Sequence, residues 1–346
     1  MQLGLALPHY DTSYRNEPVS WSAVRACALA AERSGYSSVW VSDHLFLDWG
    51  KYGGPSTPQG SLECWMTMTA LAAATSSLRI GSLTLCNDLR NPALLAKMAA
   101  SLDLLSGGRL EIGLGAGWYE PEYRAAGIAF DPAGTRIRRL GEAVEVLGRL
   151  LAGEELTFDG RHYQVQEAIC LPRPVQTPRP PVWIGGKGDL LLRTAARVAD
   201  GWNFSWIGSF ETYAERARAA DRACEAEGRD PATLSRSVGA YVLAGRDDSD
   251  LRRRFERLVE STPAGVFPGR KKGGAVSWEE FRRDHVTGTV GEVTDRLGRL
   301  TDLGVREVIV TAGALPFQVA DPEDVELLGA EVAPVLEAEH RSEAPE

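Results

Sequence analysis

The chain has 346 residues, 44% apolar and 25% charged, the balance of a globular protein rather than a disordered or fibrous one. Its 38 Lys and Arg against 47 Asp and Glu leave a net charge of −9, which excludes the broad basic face that nucleic acid requires but not a local anion pocket. Five scattered cysteines (Cys27, Cys64, Cys86, Cys170, Cys224) form no CxxC pair, so neither a disulfide framework nor a zinc site is expected. With no basic, apolar leader and no apolar run of ~18 residues, the expectation is a cytoplasmic protein without a membrane span.

Short β-rich runs alternate with longer helical ones along the chain. Gln2 to Leu7 reads as a first strand, and Val19 to Arg33 as a helix closed by Gly35. Val39 to Val41 is a second strand, followed by a polar loop over 47–61 and a helix from Leu62 to about Ser76. Arg79 to Leu85 is a third strand, and Pro92 fits the first turn of the next helix. Arg109 to Leu114 is a fourth, ending in Gly115-Ala116-Gly117. Thr135 to Leu151 carries Ile137, Leu140, Val144, Leu147 and Leu151 on one helical stripe. An irregular stretch over 152–181 holds a hairpin from Leu156 to Val165. Val182 to Ile184, Trp202 to Ser205, Val238 to Ala244 and Glu307 to Thr311 are the remaining strands, with helices over 189–199, 211–227, 290–302 and 323–339.

Eight strands alternating with helices predict an α/β fold, a closed (β/α)₈ TIM barrel. An open doubly wound sheet is the alternative, though no GxGxxG follows the first strand. Length alone suggests two units of about 150 residues. The strand count instead gives a single barrel over 1–346, with insertions at about 45–61, 118–134, 152–181 and 245–289.

A barrel keeps its chemistry at the C-terminal strand ends. Those ends carry His9, Asp43-His44, the stretch from Ser82 to Cys86, Gly115 to Trp118, and Gly185-Gly186-Lys187-Gly188. An imidazole titrates near neutrality and a carboxylate can orient it, so Asp43-His44 suits proton transfer. Neighbours on an extended chain face opposite ways, so both reach one pocket only where the strand bends. The Gly185 to Gly188 turn opens a helix, where bare amides and Lys187 suit a phosphate. Gly115 to Gly117 remove bulk, as a flat ring across the mouth requires. Trp118, Glu63 and Trp65 are candidate pocket walls, and Arg136, Arg138 and Arg139 read as a solvated helix face.

Three blocks carry a resemblance: Ser38-Val39-Trp40-Val41-Ser42-Asp43-His44; Arg79-Ile80-Gly81 with Asn91-Pro92, Leu105 to Leu110 and Gly113 to Trp118; and Pro181 to Gly186 with Ala199 to Trp202. Together they resemble the luciferase-like monooxygenase superfamily, in particular its deazaflavin-dependent (coenzyme F420) oxidoreductase branch. The resemblance implies a bacterial-luciferase-like barrel, a homodimer, and an isoalloxazine-type ring at the mouth. It places a non-prolyl cis peptide at Ser82-Leu83, under the ring. Cofactor contacts would come from Asp43, Ser82, Leu83, Thr84, Cys86, Gly115, Ala116, Gly117 and Gly185, with the phosphate on Gly186, Lys187 and Gly188. Hydride would pass between deazaflavin C5 and a small organic substrate, with His44, oriented by Asp43, managing the proton. His9, Trp118, Trp65 and Glu63 would wall the substrate. Some sugar-phosphate dehydrogenases of the branch carry a glutamate where this chain has Trp118, which puts a sugar phosphate, and the proton donor, in question. Reduced FMN with oxygen is the alternative cofactor chemistry. A metal-dependent barrel hydrolase, motivated by His9 and His44, and a cofactor-binding protein without turnover are the alternatives of other classes.

Overall fold

The computed structural model describes residues 1–52, 54, 56–263, 266 and 278–342. Eight parallel strands form its centre: β1 (Gln2–Ala6), β2 (Ser38–Val41), β3 (Arg79–Ser82), β4 (Leu110–Gly115), β5 (Val182–Gly185), β6 (Gly201–Phe204), β7 (Ser235–Gly245) and β8 (Glu307–Thr311). Each pairs with the next, and β8 returns to β1 through Glu307 and Gln2. The sheet is therefore closed, and the open doubly wound alternative falls away.

Around it lie α1 (Trp21–Ser34), α2 (Cys64–Ala74), α3 (Pro92–Ser106), α4 (Glu120–Ala125), α5 (Ala133–Leu151), α6 (Asp189–Val198), α7 (Phe210–Ala226), α8 (Asp248–Ser261), α9 (Trp278–Asp284) and α10 (Val290–Gly298). Local chemistry explains their ends. Ser20 accepts from the Ala23 amide to start α1, and Gly35 closes it in the left-handed conformation at φ 100°. In α5 the expected stripe is real: Leu140, Val144, Leu147 and Leu151 are buried against the barrel. Each such side chain contributes about 1.5–3 kcal/mol on leaving water.

Strand alternation sorts the side chains into two cores. Leu3 and Leu5, Val39 and Val41, Ile112 and Leu114, Val182 and Ile184, and Val308 and Val310 face outward and meet the helices. The positions between them face the lumen, where Ala6, Trp40, Leu83, Trp183 and Ile309 form a second cluster. The two tryptophans fit because their neighbours across the ladder are glycines. Trp40 is in register with Gly81, and Trp183 with Gly113 and Gly201. A Cβ on Gly81 would lie 2.3 Å from the Trp40 ring, and one on Gly201 would lie 2.1 Å from the Trp183 ring.

Three features depart from the expected order. The third strand is split: β3 stops at Ser82, and Leu85–Cys86 resumes beside β4. β7 is 11 residues long, and its far end pairs with an unexpected parallel strand, Val286–Thr289. Helices α8 and α9, which the sequence pattern does not predict, lie within the segment 245–289 expected as an insertion. The stretch 152–181 holds the expected hairpin as Leu156–Asp159 with Gln164–Ala168. Glu142 anchors its turn through the Arg161, His162 and Tyr163 amides, and Asp103 anchors the following loop through Val175 and Gln176. No helix among the described residues is long and apolar enough to cross a membrane.

Candidate active site

The C-terminal strand ends open into a cavity of about 600 Å³, within the ~300–1,000 Å³ of small-molecule sites. Of the expected residues, Asp43, His44, Leu83, Thr84, Cys86, Gly115, Ala116, Gly117, Trp118, Gly185, Gly186 and Lys187 line it. The other five lie elsewhere. Ser82 is fully buried in the ladder, its hydroxyl donating to Gly113 O and accepting from Gly113 N, both at 2.9 Å. Glu63 caps α2 by accepting from the Met66 amide and pairs with Arg90. Trp65 packs in the outer core. Gly188 caps α6 with open space beside it.

His9 lies one layer behind the wall. Nδ1 donates to Leu7 O at 2.9 Å, and Nε2 accepts from the Ser42 amide at 3.1 Å. Burial pushes its imidazole down to about 4, so it stays neutral near physiological pH. The Ser42 hydroxyl touches both His9 Nε2 and Tyr10 Oη, and Ser42 and Tyr10 themselves line the cavity.

Asp43 and His44 diverge, as adjacent residues on an extended segment do. Asp43, expected to orient His44, accepts instead from both Arg90 guanidinium nitrogens and from the Cys86 amide. Burial pushes the Asp43 carboxyl above its usual range, against the pull of Arg90. His44 turns to Glu122 on α4: Nδ1 donates to Oε1 at 2.9 Å, and Glu122 Oε2 accepts the Leu45 amide at 2.9 Å. That bond fixes the proton on Nδ1 and leaves Nε2 as the exchangeable nitrogen. Edge contacts with Trp118 at 5.4 Å and Tyr119 at 6.1 Å between ring centres brace the imidazole.

The cavity floor is built from Leu83, Thr84, Cys86 and Ala116. The cis peptide is Leu83–Thr84, one bond later than expected. The ladder still claims the Leu83 amide, which donates to Val41 O at 2.7 Å, so the chain leaves the strand only after it. The glycines serve this floor indirectly. A Cβ on Gly115 would lie 2.4 Å from Thr84 Oγ1, and one on Gly185 would lie 2.6 Å from Thr84 Cγ2. They thus make room for Thr84 in the floor. Gly117 is a turn residue, at φ 72°, with Tyr123 Oη against the place of a Cβ. Among the described residues no group of three or more His, Cys, Asp or Glu is placed to hold a metal ion.

The family model for luciferase-like monooxygenases matches residues 1–325. The chain belongs to that family. Within it, the chain is 30% identical over 303 residues to the F420-dependent hydroxymycolic acid dehydrogenase of Mycobacterium tuberculosis, covering 84% of this chain and 77% of the relative. It is 28% identical over 343 residues to the FMNH(2)-dependent dimethylsulfone monooxygenase of Pseudomonas putida, covering 92% and 89%. The structure of an F420-dependent secondary alcohol dehydrogenase with an F420-acetone adduct superposes with a TM-score of 0.73 at 20% identity, covering 97% of this chain and 98% of that one, which establishes the shared fold.

Several site residues of this luciferase-like chain escaped the sequence reading. Glu122 is the most important. The position just after the strand 4 glycines is Trp118, but the carboxylate arrives one helical turn later, from the first turn of α4. The signal available was the Glu120-Pro121-Glu122 run, which combines a helix start with acidic residues. Arg136 is not a solvated residue: it is 7% exposed, lines the cavity, and donates to Ala116 O and Gly117 O, with Phe130 under its guanidinium. Arg139 is likewise held by Asp88 and Asp131. Cys86, by contrast, was expected at the mouth and lies in the floor, where burial pushes its thiol up to about 12.

Proposed function

We propose that this chain is an F420-dependent oxidoreductase that moves a hydride between the cofactor and a small organic substrate. The observation that carries the reading is the His44–Glu122 pair beside a cavity that also holds Leu83, Thr84, Gly115, Ala116 and Gly185. When bound, F420 supplies the hydride-transferring carbon of its deazaflavin ring. Leu83, Thr84, Cys86 and Ala116 would hold the ring face, and the Gly186 to Gly188 backbone with the start of α6 would hold its phosphate. His44 Nε2 gives or takes the proton of the substrate oxygen, while Glu122 keeps Nδ1 protonated and stabilises the imidazolium. Arg136 holds the Ala116–Gly117 backbone beside the ring, and Asp43 holds the Cys86 amide.

Relatives named as F420-dependent support this cofactor, and the FMNH(2)-dependent relative supports the alternative. Titration of the protein with oxidised F420 should give a saturable change in the deazaflavin absorbance, with FMN giving none. Absence of F420 binding overturns the reading, and oxygen uptake with reduced FMN replaces it with monooxygenase chemistry.

A homodimer accompanies this proposal. Met66 on α2, Leu94 and Leu105 on α3 and Leu171 are 57–69% exposed. The segment carrying Leu171 is tied to α3 by Lys97 Nζ on Leu171 O and Cys170 Sγ on Ala96 O. Exposed apolar side chains on contacting elements support an interface between two copies. Light scattering at micromolar concentration should report twice the chain mass, and a single-chain mass would remove the dimer.

A further inference from the structure

Away from the floor, the cavity is walled by rings. Trp206, Tyr241, Phe317 and Tyr10 all line it. Trp206 lies 5.2 Å from Tyr241 and 5.4 Å from Phe317, and Phe317 lies 6.2 Å from Tyr10, between ring centres. Trp206 and Phe317 sit at φ 47° and 57°, a region that bulky residues occupy only where their surroundings enforce it. For Phe317 the enforcing group is Gln318, whose buried side chain accepts from the Ala314 and Leu315 amides and donates to Thr262. The wall is therefore held in place, and it is apolar.

Two lysines reach this same cavity, which Arg136 also lines. Lys51 comes from the loop after β2, its ammonium 4.0 Å from the Trp118 ring centre. Lys187 comes from the turn after β5, its ammonium 4.1 Å from the Phe204 ring centre and donating to Trp206 O at 3.1 Å. The arginines are engaged elsewhere: Arg136 donates to the Ala116, Gly117 and Asp131 carbonyls, Arg90 pairs with Asp43 and Glu63, and Arg139 pairs with Asp88 and Asp131. Neither lysine has an ion-pair partner among the described residues. Desolvation pushes both ammonium groups down, and the charge of Lys51 pushes Lys187 down further. Like charges converging on a cavity in an acidic chain are relieved by an anion.

We propose, resting on the redox reading above, that the substrate is an amphiphilic carboxylate. Its aromatic or apolar body lies against Trp206, Tyr241 and Phe317, and its carboxylate lies between Lys51 and Lys187. The reacting carbon faces His44, and the carboxylate fixes which way round the molecule enters.

The test uses two probes of one shape, 3-phenylpropionate and its neutral amide, titrated calorimetrically into the full chain. The acid should bind roughly tenfold or more tighter than the amide, the scale of one or two charge-assisted hydrogen bonds. In the Lys51→Gln/Lys187→Gln double variant that preference should fall below about twofold with the amide affinity unchanged, whereas Lys51→Arg should keep it. Circular dichroism melts confirm that each variant is folded. Equal binding of acid and amide, no binding of the acid, or a preference that survives the double variant overturns the proposal. F420 titration of Lys51→Gln, a position outside the turn proposed for the cofactor phosphate, separates the source of the anion. Unchanged F420 affinity supports a substrate site, and a loss of F420 affinity matching the loss of acid preference moves Lys51 to the cofactor tail and overturns the assignment. Should the wild-type chain bind FMN instead of F420, the cofactor reading fails while the acid-against-amide comparison on the ligand-free protein still decides this one.

Discussion

The two ends of the barrel use similar residues for different ends. At the mouth, His44 and Glu122 meet beside a cavity, and Asp43 is locked by Arg90. In the lumen below, Glu111 accepts from Arg79 and Trp183, and Glu307 accepts from Ser38 and Trp40. Both regions bury carboxylates among aromatic rings. The lower set is sealed, since Trp40 and Trp183 fill the lumen and glycines press against them. The upper set keeps one nitrogen of an imidazole available to a ligand. Buried charge thus becomes chemistry where the packing leaves room for a second molecule, and a structural demand where it does not.

That contrast can be broken most severely at His44. His44→Ala should lower kcat by about 10²–10⁴ while leaving the F420 affinity and unfolding midpoint in place. A rate within threefold of wild type would make the mouth as structural as the lumen. Glu122→Gln should cost roughly tenfold to a hundredfold, the scale of a charge-assisted bond of about 1.5–3 kcal/mol, read as kcat at unchanged cofactor affinity.

In the lumen the sign of the contrast reverses. Gly201→Ala drives a Cβ against the Trp183 ring, and it should destabilise by about 1–3 kcal/mol or more in urea unfolding. Its residual folded fraction should turn over with an ordinary kcat. A normal midpoint would mean that the lumen tolerates added volume.

Glu307 gives a smaller, pH-dependent effect. Arg79 pairs with Glu111, and burial together with the charge of Glu111 pushes the Glu307 carboxyl up to about 7 from near 4.5. A carboxyl raised on folding contributes stability that is complete below the lower value and is lost as pH rises through about 7. Glu307→Gln should flatten the dependence of the unfolding midpoint across that window, and an unchanged slope would show that other groups set it. The smallest effect is at Cys86, whose raised thiol should resist iodoacetamide at mildly alkaline pH in the folded chain and react on unfolding. Mass spectrometry of the labelled peptide reads the difference.

What the sequence determined by itself was local and periodic. Alternation at Leu3, Gly4 and Leu5, or at Val39, Trp40 and Val41, placed the strands, and the 3.6-residue stripe from Leu140 to Leu151 placed α5, because such patterns record which face leaves water. Mouth residues that sit directly on strand ends, such as His44, Gly115 and Gly185, followed from that position. Partners did not follow. His44 and Glu122 are 78 residues apart, and α4 must fold back over the mouth before the carboxylate and imidazole meet. Arg136 looked solvated until the Ala116–Gly117 turn curled over it, and the glycines after β4 and β5 gained their purpose from Thr84, which arrives from another strand. Hydrophobic periodicity is written into neighbouring residues, whereas a hydrogen-bond partner or a steric contact exists only once distant segments have closed on each other.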